Sequence, residues 1–271
     1  MNLGNTAVRI IVSVIAIPLI LLVSYLGGIS FLIFVTGIAL LAFHEFSGIA
    51  EHKNASVNLI IGFIGITSIL ISVFLKWQDV KPIMLAIVII LSLFELFRNK
   101  ASAILNISTT LFGIFYIGVF AATIIDIREL YQDEYVRGGY LIIAIFASIW
   151  ICDSAAFFVG SAIGKHKLFP RVSPKKSWEG AIAGFIFSIL AFIAAKYIVL
   201  DFISLPDAFA LGFIVGTVGQ AGDLVESLLK RDAGVKDSSV LIPGHGGIFD
   251  RFDSLLLTAP AVYLYFYILY L

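Results

Sequence analysis

Nine long runs of hydrophobic residues follow one another along the chain, separated by short polar segments. Each run is continuous over about 15 to 20 residues, the length that an apolar helix needs to cross a bilayer, whereas strands of a membrane barrel alternate polar and apolar positions. The pattern predicts an all-α, polytopic integral membrane protein with about nine transmembrane helices, the first of them retained rather than cleaved as a signal. The predicted spans are 10–27, 29–46, 57–75, 82–97, 104–125, 139–160, 179–199, 208–222 and 254–271.

The composition supports the same class of protein. Hydrophobic residues make up 60% of the 271 residues and charged residues only 13%, which leaves too little polar surface for a soluble domain of this length. The single cysteine, Cys152, excludes an intramolecular disulfide and a CxxC metal or redox motif. We interpret it as a packing residue.

The placement of lysine and arginine predicts the orientation. With a cytoplasmic N-terminus, thirteen of these residues fall in cytoplasmic segments and only five outside, as the positive-inside rule requires. The two most polar loops, 160–178 and 223–253, are separated by two spans and therefore lie on the same face, the cytoplasmic one. The five outer residues are Lys76, Lys81, Arg128, Arg137 and Lys196.

We predict a division between two regions of the chain near the longest polar segment of the predicted outer side, residues 127–139. Its mixed charges are typical of a solvated connection. It divides the chain into an N-terminal transmembrane helix bundle, 1–125, and a C-terminal transmembrane region, 126–271, which carries both polar cytoplasmic loops and is predicted to hold the functional residues.

Carboxylates near the last two spans are candidate metal ligands. Asp223, Glu226 and Lys230 share one face of a helix that continues from the eighth span, and Asp250 and Asp253 lie one turn apart at the start of the ninth. Two helix ends that carry carboxylates towards one loop suit a hard divalent cation such as Mg²⁺. The alternative is that these acids only solvate helix ends. Carboxylates at membrane depth are costly and usually functional, which favours metal binding.

Three further acids lie within the predicted spans. Asp153 belongs to the sixth, and a carboxylate at that depth is predicted to face a polar cavity rather than lipid. Glu45 and Glu95 fall near cytoplasmic ends, where they can reach water, and carry little functional information.

Four basic residues alternate with the C-terminal acids and surround a glycine-rich turn at 243–247. The flexible backbone of that turn can bring N–H groups close to a phosphate, and its His245 is a candidate phosphate donor, turn residue or general base. Taken one at a time, basic residues at a membrane surface could instead bind anionic headgroups. The four residues are Lys230, Arg231, Lys236 and Arg251.

The other polar loop, 160–178, contains a helix-start signal. Ser173 is predicted to be the N-cap and Pro174 the first residue of the seventh helix. Lys175 and Lys176 are then expected in its first turn, beside backbone N–H groups that favour anions. Anchoring to the membrane surface explains the two lysines as well.

The segment "SLLKRDAGVKDSSVLIPGHGGIFDRFD" (227–253) resembles the long C-terminal motif of the phosphatidate cytidylyltransferases, the CDP-diacylglycerol synthases. "SPKKSWEG" (173–180) resembles a second element, with Ser177 where threonine is usual, and "CDSAAFFVG" and "GDLVESLLKR" are also similar to family segments. The resemblance is strong over 150–255, and the N-terminal half matches only as a hydrophobic bundle. The motif positions are Ser227, Lys230, Arg231, Lys236, Asp237, Ser239, Pro243, His245, Gly246, Gly247, Asp250, Arg251 and Asp253.

The resemblance implies transfer of CMP from CTP to phosphatidic acid, giving CDP-diacylglycerol and pyrophosphate in phospholipid biosynthesis. The attacking group is the lipid phosphate, which is already ionised near neutral pH, so the enzyme must supply positioning and charge screening rather than a strong base. We expect metal-assisted in-line attack with Mg²⁺ as cofactor, in two cations per site of which one could be a monovalent ion.

Resemblance and spacing together assign roles to the residues. The expected metal ligands are Asp223, Asp250 and Asp253, with Asp153 and Glu226 as further candidates. The expected phosphate-binding and catalytic residues are Lys175, Lys176, Lys230, Arg231, Lys236, His245, Gly246, Gly247 and Arg251, together with the ligands Asp223 and Asp250.

The expected partners are CTP, phosphatidic acid and the lipid bilayer, with no nucleic acid, and a homodimer through the N-terminal helices is a reasonable hypothesis. The expected location is the cell (inner or plasma) membrane, as a multi-pass protein whose site faces the cytoplasm.

Two other functions compete with this interpretation. A CTP-using polyprenol kinase would phosphorylate an alcohol and would need a base to activate the hydroxyl group. A secondary transporter would use Asp153 and Asp223 as ion-coupling carboxylates along a pathway through the bilayer, whereas the charges here crowd one face.

Overall fold

The computed structural model describes residues 5–77, 79–131, 134–239 and 246–270. These ranges contain nine helices, two of which include a π-helical turn, at Ile114–Val119 and Val215–Gly219. The helices are α1 (Asn5–Leu26), α2 (Gly28–Glu51), α3 (Leu59–Phe74), α4 (Val80–Phe97), α5 (Ala103–Arg128), α6 (Tyr135–Ile163), α7 (Trp178–Ile198), α8 (Leu205–Asp232) and α9 (Phe249–Leu269).

Each predicted span coincides with one of these helices. Seven of them are long and apolar enough to cross a membrane, and α1 and α3 contribute shorter apolar stretches, Val12–Leu26 and Leu59–Phe74. The prediction of an all-α polytopic membrane protein is therefore confirmed, while the number of spans and the orientation stay predictions. Helix α8 continues past its predicted end at 222 as far as Asp232, as expected for the helix that carries Lys230.

Local sequence explains where several helices begin. Gly27 and Gly28 have φ angles of 64° and 57°, a left-handed conformation that glycine adopts at little cost, and they separate α1 from α2. Asn58 caps α3 by accepting a hydrogen bond from the Ile61 amide at 3.0 Å. Ser204 and Asp207 form a reciprocal capping box at the start of α8.

The segment between α6 and α7 differs from the prediction. Lys167–Phe169 (β1) and Ser173–Ser177 (β2) form an antiparallel hairpin with Lys167 opposite Ser177. Ser173 is therefore not the N-cap, and the two lysines at 175 and 176 lie on a strand rather than in the first turn of a helix.

The helix start moves to Trp178 because other hydrogen bonds compete for this backbone. The Ser177 hydroxyl accepts from the Gly180 amide at 3.2 Å and acts as the N-cap in place of Ser173. The Trp178 amide donates to the His166 carbonyl at 2.9 Å. The Glu179 carboxylate accepts from the amide and Nδ1 of His166, which ties the open end of the hairpin to α7.

The chain divides into two compact units. The first comprises 1–23, 27–126 and 229–252, and the second comprises 24–26, 127–228 and 253–271. The predicted division after residue 125 stays a prediction. The first unit has a core of α2, α3 and α5. In this core, Gly62 lies against the ring of the buried Phe43. The side chains of Ile66, Ile69 and Ile117 are fully buried there as well.

Small residues allow α6, α7 and α8 to approach closely in the second unit. A Cβ atom on Gly184 of α7 would lie 3.0 Å from the Cys152 carbonyl oxygen of α6, and one on Gly212 of α8 would lie 2.5 Å from the Ile189 Cα atom of α7. Such contacts are typical of membrane helices, which associate through close packing because lipid removes the hydrophobic driving force between them. Cys152 is a buried packing residue, as predicted.

Arg128 ends α5 and is fully buried, although the sequence placed it in a solvated connection. Its guanidinium donates to the carbonyl oxygens of Ser24 at 2.7 Å, Tyr25 at 2.8 Å and Tyr135 at 3.0 Å. It also stacks over the Tyr135 ring at 4.2 Å. The planar fork of arginine serves several carbonyl groups at once, which explains how a charge is kept inside this unit.

Replacement of Gly212 by valine is expected to destabilise the protein by about 1–3 kcal/mol, because the new side chain has no space against the α7 backbone. Gly37→Val is the matched control, since it makes the same change in a helix at a position where a Cβ atom meets nothing within 4 Å. Thermal unfolding in detergent should show a lower midpoint for Gly212→Val than for Gly37→Val. Equal midpoints would contradict the packing argument.

Candidate functional site

In the first unit, six residues form what we term the Lys230 cluster: Glu45, Lys230, Ser238, Ser239, Gly247 and Asp250. At its centre, the Lys230 ammonium group donates to Asp250 Oδ1 at 2.5 Å, and the two side chains are only 10% and 7% exposed. Charges withdrawn from water need a partner, so each of these side chains depends on the other. The structure therefore brings together a predicted phosphate-binding residue and a predicted metal ligand.

The other carboxylate oxygen of Asp250 organises the chain just before α9. Oδ2 accepts from the Gly247 amide at 2.9 Å and from the amide and hydroxyl of Ser238 at 3.1 and 3.0 Å. Gly246 has a φ angle of 85°, a left-handed conformation that suits glycine. A Cβ atom at this residue would also lie 2.9 Å from Oδ2. The backbone at Gly246 and Gly247 thus lies against Asp250, and the Gly247 amide, predicted to contact phosphate, donates to this carboxylate.

Glu45 of α2 is the residue that the sequence analysis missed. It is 4% exposed, and its Oε1 accepts from the Ser239 hydroxyl at 2.6 Å and the Ile248 amide at 3.0 Å. Its Oε2 accepts from the Ser238 hydroxyl at 2.9 Å and the Phe249 amide at 2.8 Å. The expectation that Glu45 reaches water is wrong. Its carboxylate is buried, and hydroxyl and amide groups of the C-terminal motif donate the hydrogen bonds that water would otherwise supply.

Three further predicted residues of the first unit are on the surface. Arg231, Lys236 and Arg251 are exposed, and Arg231 Nη1 donates to the Val235 carbonyl oxygen at 3.0 Å. His245 lies outside the described residues, as do Pro243 and Gly244, so its predicted role stays a prediction.

In the second unit, five residues form the Asp223 cluster: Asp153, Lys176, Asp223, Ser227 and Asp253. The Lys176 ammonium group forms an ion pair with Asp223 Oδ2 at 2.6 Å, and both side chains are about one-third exposed. Ser227, one turn further along α8, donates its hydroxyl to Asp223 Oδ1 at 3.3 Å. Strand β2 and helix α8 thus contribute one charged residue each to this pair.

Asp253 is half-buried near this pair. The charges of Asp223, Asp153 and Lys176 all act on its carboxyl group, and the Ser254 amide donates to its Oδ1 at 2.6 Å. Close approach of α8 is possible because Gly222 has no side chain: a Cβ atom there would lie 2.7 Å from the Asp253 carbonyl oxygen. Three of the predicted metal ligands therefore belong to one cluster.

Asp153 is the exposed member of the Asp223 cluster, and the polar cavity predicted for it stays a prediction. The remaining predicted residues of the second unit lie in different environments. Glu226 is buried in α8 at 1% exposure. Lys175 is exposed on β2, beside the half-buried Lys176.

The donor set of the Asp223 cluster fits a magnesium ion that also binds substrate. Within the described ranges, no three acidic, histidine or cysteine side chains are arranged to hold a metal ion by themselves. Magnesium, however, is commonly held by one or two carboxylates plus phosphate oxygens and water. Asp223 and Asp253 supply two carboxylates, and the ammonium group of Lys176, which pairs with Asp223, can balance further negative charge.

Comparison with known proteins gives one family across nearly the whole chain. The model of the cytidylyltransferase family matches residues 7–269. A protein of Staphylococcus aureus (strain COL) named phosphatidate cytidylyltransferase is 33% identical over 257 residues, covering 93% of this chain and 96% of its own length. One of Brucella suis biovar 1 with the same name is 31% identical over 273 residues, covering 97% and 94%.

A phosphatidate cytidylyltransferase of Haemophilus influenzae is 44% identical over 158 residues, covering 55% of this chain and 54% of the relative. The match to the family model and the two alignments of nearly full length agree with the resemblance carried by the C-terminal motif. The chain belongs to the cytidylyltransferase family.

Proposed function

We propose that this protein is a phosphatidate cytidylyltransferase, which transfers CMP from CTP to phosphatidic acid and releases CDP-diacylglycerol and pyrophosphate. The observation that carries the proposal is the match to the family model over residues 7–269, supported by relatives of that name at 31–33% identity over nearly the full length of both chains. The protein is then a membrane-embedded nucleotidyltransferase of phospholipid biosynthesis.

In the proposed reaction, a phosphate oxygen of phosphatidic acid forms a bond to the α-phosphorus of CTP. The bond from that phosphorus to the bridging oxygen of the β-phosphate breaks, and pyrophosphate leaves with the electron pair. The nucleophile is already ionised, so no side chain has to remove a proton. The obstacle is repulsion between two polyanions, which positioned cationic groups can overcome.

We assign magnesium binding to the Asp223 cluster. Asp223 and Asp253 would hold the ion, with Asp153 as a further ligand; Glu226, buried in α8, stays a predicted ligand. Bound magnesium would supply positive charge to the phosphate oxygens of the substrates. Lys176 supports the assignment because its ammonium group is held by Asp223 and can bind a phosphate oxygen instead.

We assign phosphate binding to the Lys230 cluster and the basic residues near it in sequence. Lys230 is held against Asp250 Oδ1, in a geometry that suits transfer of the ammonium group to a substrate phosphate. Asp250 stays a proposed metal ligand through Oδ1, where a metal cation would take the place of the ammonium group. Lys236 and Arg251 are exposed and are further candidates for phosphate binding. Lys175 of the second unit, exposed on β2, stays a predicted phosphate-binding residue.

Asp223→Asn and Asp253→Asn are expected to lower kcat/KM for CTP by about 100-fold or more and to raise the Mg²⁺ concentration needed for half-maximal activity, because each loses a charged ligand. Incorporation of radiolabelled CTP into lipid by detergent-purified protein measures both quantities. Asp201→Asn, an exposed carboxylate in the loop after α7, is the matched control.

Wild-type activity that persists after magnesium is chelated would contradict the metal assignment. Because the assay has no ion gradient, product formation also separates an enzyme from a transporter. Labelled phosphate transferred to a polyprenol, without CMP, would support the kinase instead.

Lys236→Gln is expected to raise the KM for CTP about tenfold while thermal unfolding stays unchanged, because the exposed side chain is proposed to donate a charge-assisted hydrogen bond to phosphate. Lys81→Gln, at an exposed lysine on the predicted outer side, should leave the KM unchanged. Steady-state kinetics over a range of CTP concentrations measures the effect, and equal KM values for the two variants would exclude Lys236 from CTP binding.

We further propose that the N-terminus and both clusters face the cytoplasm of a cell membrane. CTP is available there, and phosphatidic acid can enter from the inner leaflet. The distribution of lysine and arginine supports this orientation.

The orientation can be tested with single cysteines at exposed positions in a Cys152→Ser background. A membrane-impermeant maleimide applied to intact cells should label Asp201→Cys, and should label Lys165→Cys only after the membrane is made permeable. The reverse labelling pattern would overturn the orientation.

A further inference from the structure

We infer that Glu45 is a positioning residue for the reaction: it caps α9 from another helix and holds both flanks of the glycine-rich turn in the geometry that Lys230 and Asp250 require. The inference rests on the proposed function, since it concerns how that reaction's residues are held. It assigns a role to the N-terminal helices, which the sequence motifs leave without one.

The backbone at the start of α9 is satisfied by a side chain from another helix. The first backbone N–H groups of a helix have no partner within the helix and are usually satisfied by a side chain just before it. The residue before α9 is Ile248, whose side chain cannot accept a hydrogen bond. Glu45 accepts from the Ile248 and Phe249 amides instead, at 3.0 and 2.8 Å. Its negative charge also interacts favourably with the positive end of the helix dipole.

Glu45 also binds the chain on the other side of the turn. The hydroxyl groups of Ser238 and Ser239 donate to Glu45 at 2.9 and 2.6 Å. One carboxylate therefore binds the chain before residue 240 and again after residue 247. Each of its oxygens lies within hydrogen-bond distance of one hydroxyl and one backbone amide, so the side chain clamps both flanks. The Ser238 hydroxyl has a single proton, which it shares between Glu45 Oε2 and Asp250 Oδ2.

Ser238 links this clamp to Asp250 and Lys230. Ser238 lies between the two carboxylates, and its amide and hydroxyl also reach Asp250 Oδ2 at 3.1 and 3.0 Å. Asp250 in turn holds Lys230. Glu45, Ser238, Asp250 and Lys230 thus form a continuous chain of polar contacts in which Glu45 is the member that belongs to α2.

The position of Glu45 also explains why residue 247 is a glycine. A Cβ atom on Gly247 would overlap the Ser238 hydroxyl and Oε2 of Glu45. The chain can pass this point only without a side chain. The requirement for glycine at 247 therefore follows from the position of Glu45, in addition to any contact that its backbone makes with a ligand.

An amide replaces this carboxylate only in part. In Glu45→Gln, the NH₂ group would face a hydroxyl, which can turn to accept, and a backbone N–H, which can only donate, so the hydrogen bond to that amide and the negative charge would be lost at almost constant volume. We expect kcat/KM to fall about 100-fold, the effect of a small misplacement of catalytic groups. Ser239→Ala removes one donor, leaves the charge in place, and should have a smaller effect.

The experiment compares wild type, Glu45→Gln, Ser239→Ala and Glu51→Gln in detergent. Glu51 is the matched control, since it is an exposed glutamate at the end of the same helix. Hydrogen exchange of peptides that contain Ile248 and Phe249, thermal unfolding, and kcat and KM for both substrates are measured. The expected result is faster exchange in these peptides and unchanged exchange in α3 and α4 for Glu45→Gln, with kcat lowered and Glu51→Gln equal to wild type.

Unchanged exchange around Ile248, or wild-type kinetics in a folded Glu45→Gln protein, would overturn the inference. If Glu45→Gln does not fold, Ser239→Ala decides in the same way: faster local exchange and lower kcat support the clamp, and wild-type values refute it. Hydrogen exchange needs no substrate, so a wild-type protein without cytidylyltransferase activity would refute the proposed function and leave the clamp testable by itself.

Discussion

Compensation of charge inside an apolar helical protein is the constraint on which the rest of the structure depends. A charge removed from water is costly unless a partner of opposite charge or a set of hydrogen-bonding groups replaces the water. Each compact unit meets this requirement in its own way. Lys230 pairs with Asp250 in the first, and Lys176 pairs with Asp223 in the second. Glu45 is satisfied by hydroxyl and amide donors, and Arg128 by backbone carbonyl groups.

The same compensation suits chemistry between polyanions. A lysine that is held by an aspartate is already oriented and partly desolvated, so a phosphate oxygen can take the place of the carboxylate without a large rearrangement. The aspartate released in this way gains a favourable position for a cation. Preorganised charges of this kind stabilise developing charge better than mobile ones, because they need not reorganise during the reaction.

Helix starts decide where the charged residues lie. Ser177 begins α7 and leaves the preceding lysines on a strand, from which Lys176 reaches Asp223. Glu45 caps the start of α9 from another helix, so the position of Asp250 in its first turn is set from α2. In both cases a polar side chain satisfies backbone amides, and a charged side chain is placed as a consequence.

Much of this protein was determined by the sequence alone. The continuous apolar runs predicted each of the described helices, because a span must be apolar along its whole length, and the spacing of Asp223, Glu226 and Lys230 placed them correctly on the extension of α8. The C-terminal motif indicated the family, and the comparisons confirm it.

The tertiary structure decided what local patterns cannot contain. Ser173 and Pro174 have the composition of a helix start, yet pairing with Lys167–Phe169 makes this segment a strand. Glu45 looked like a solvated helix end because its four partners lie about 200 residues away in the chain. Contacts between such distant residues depend on how the chain folds back on itself, and a single sequence carries no direct signal for them.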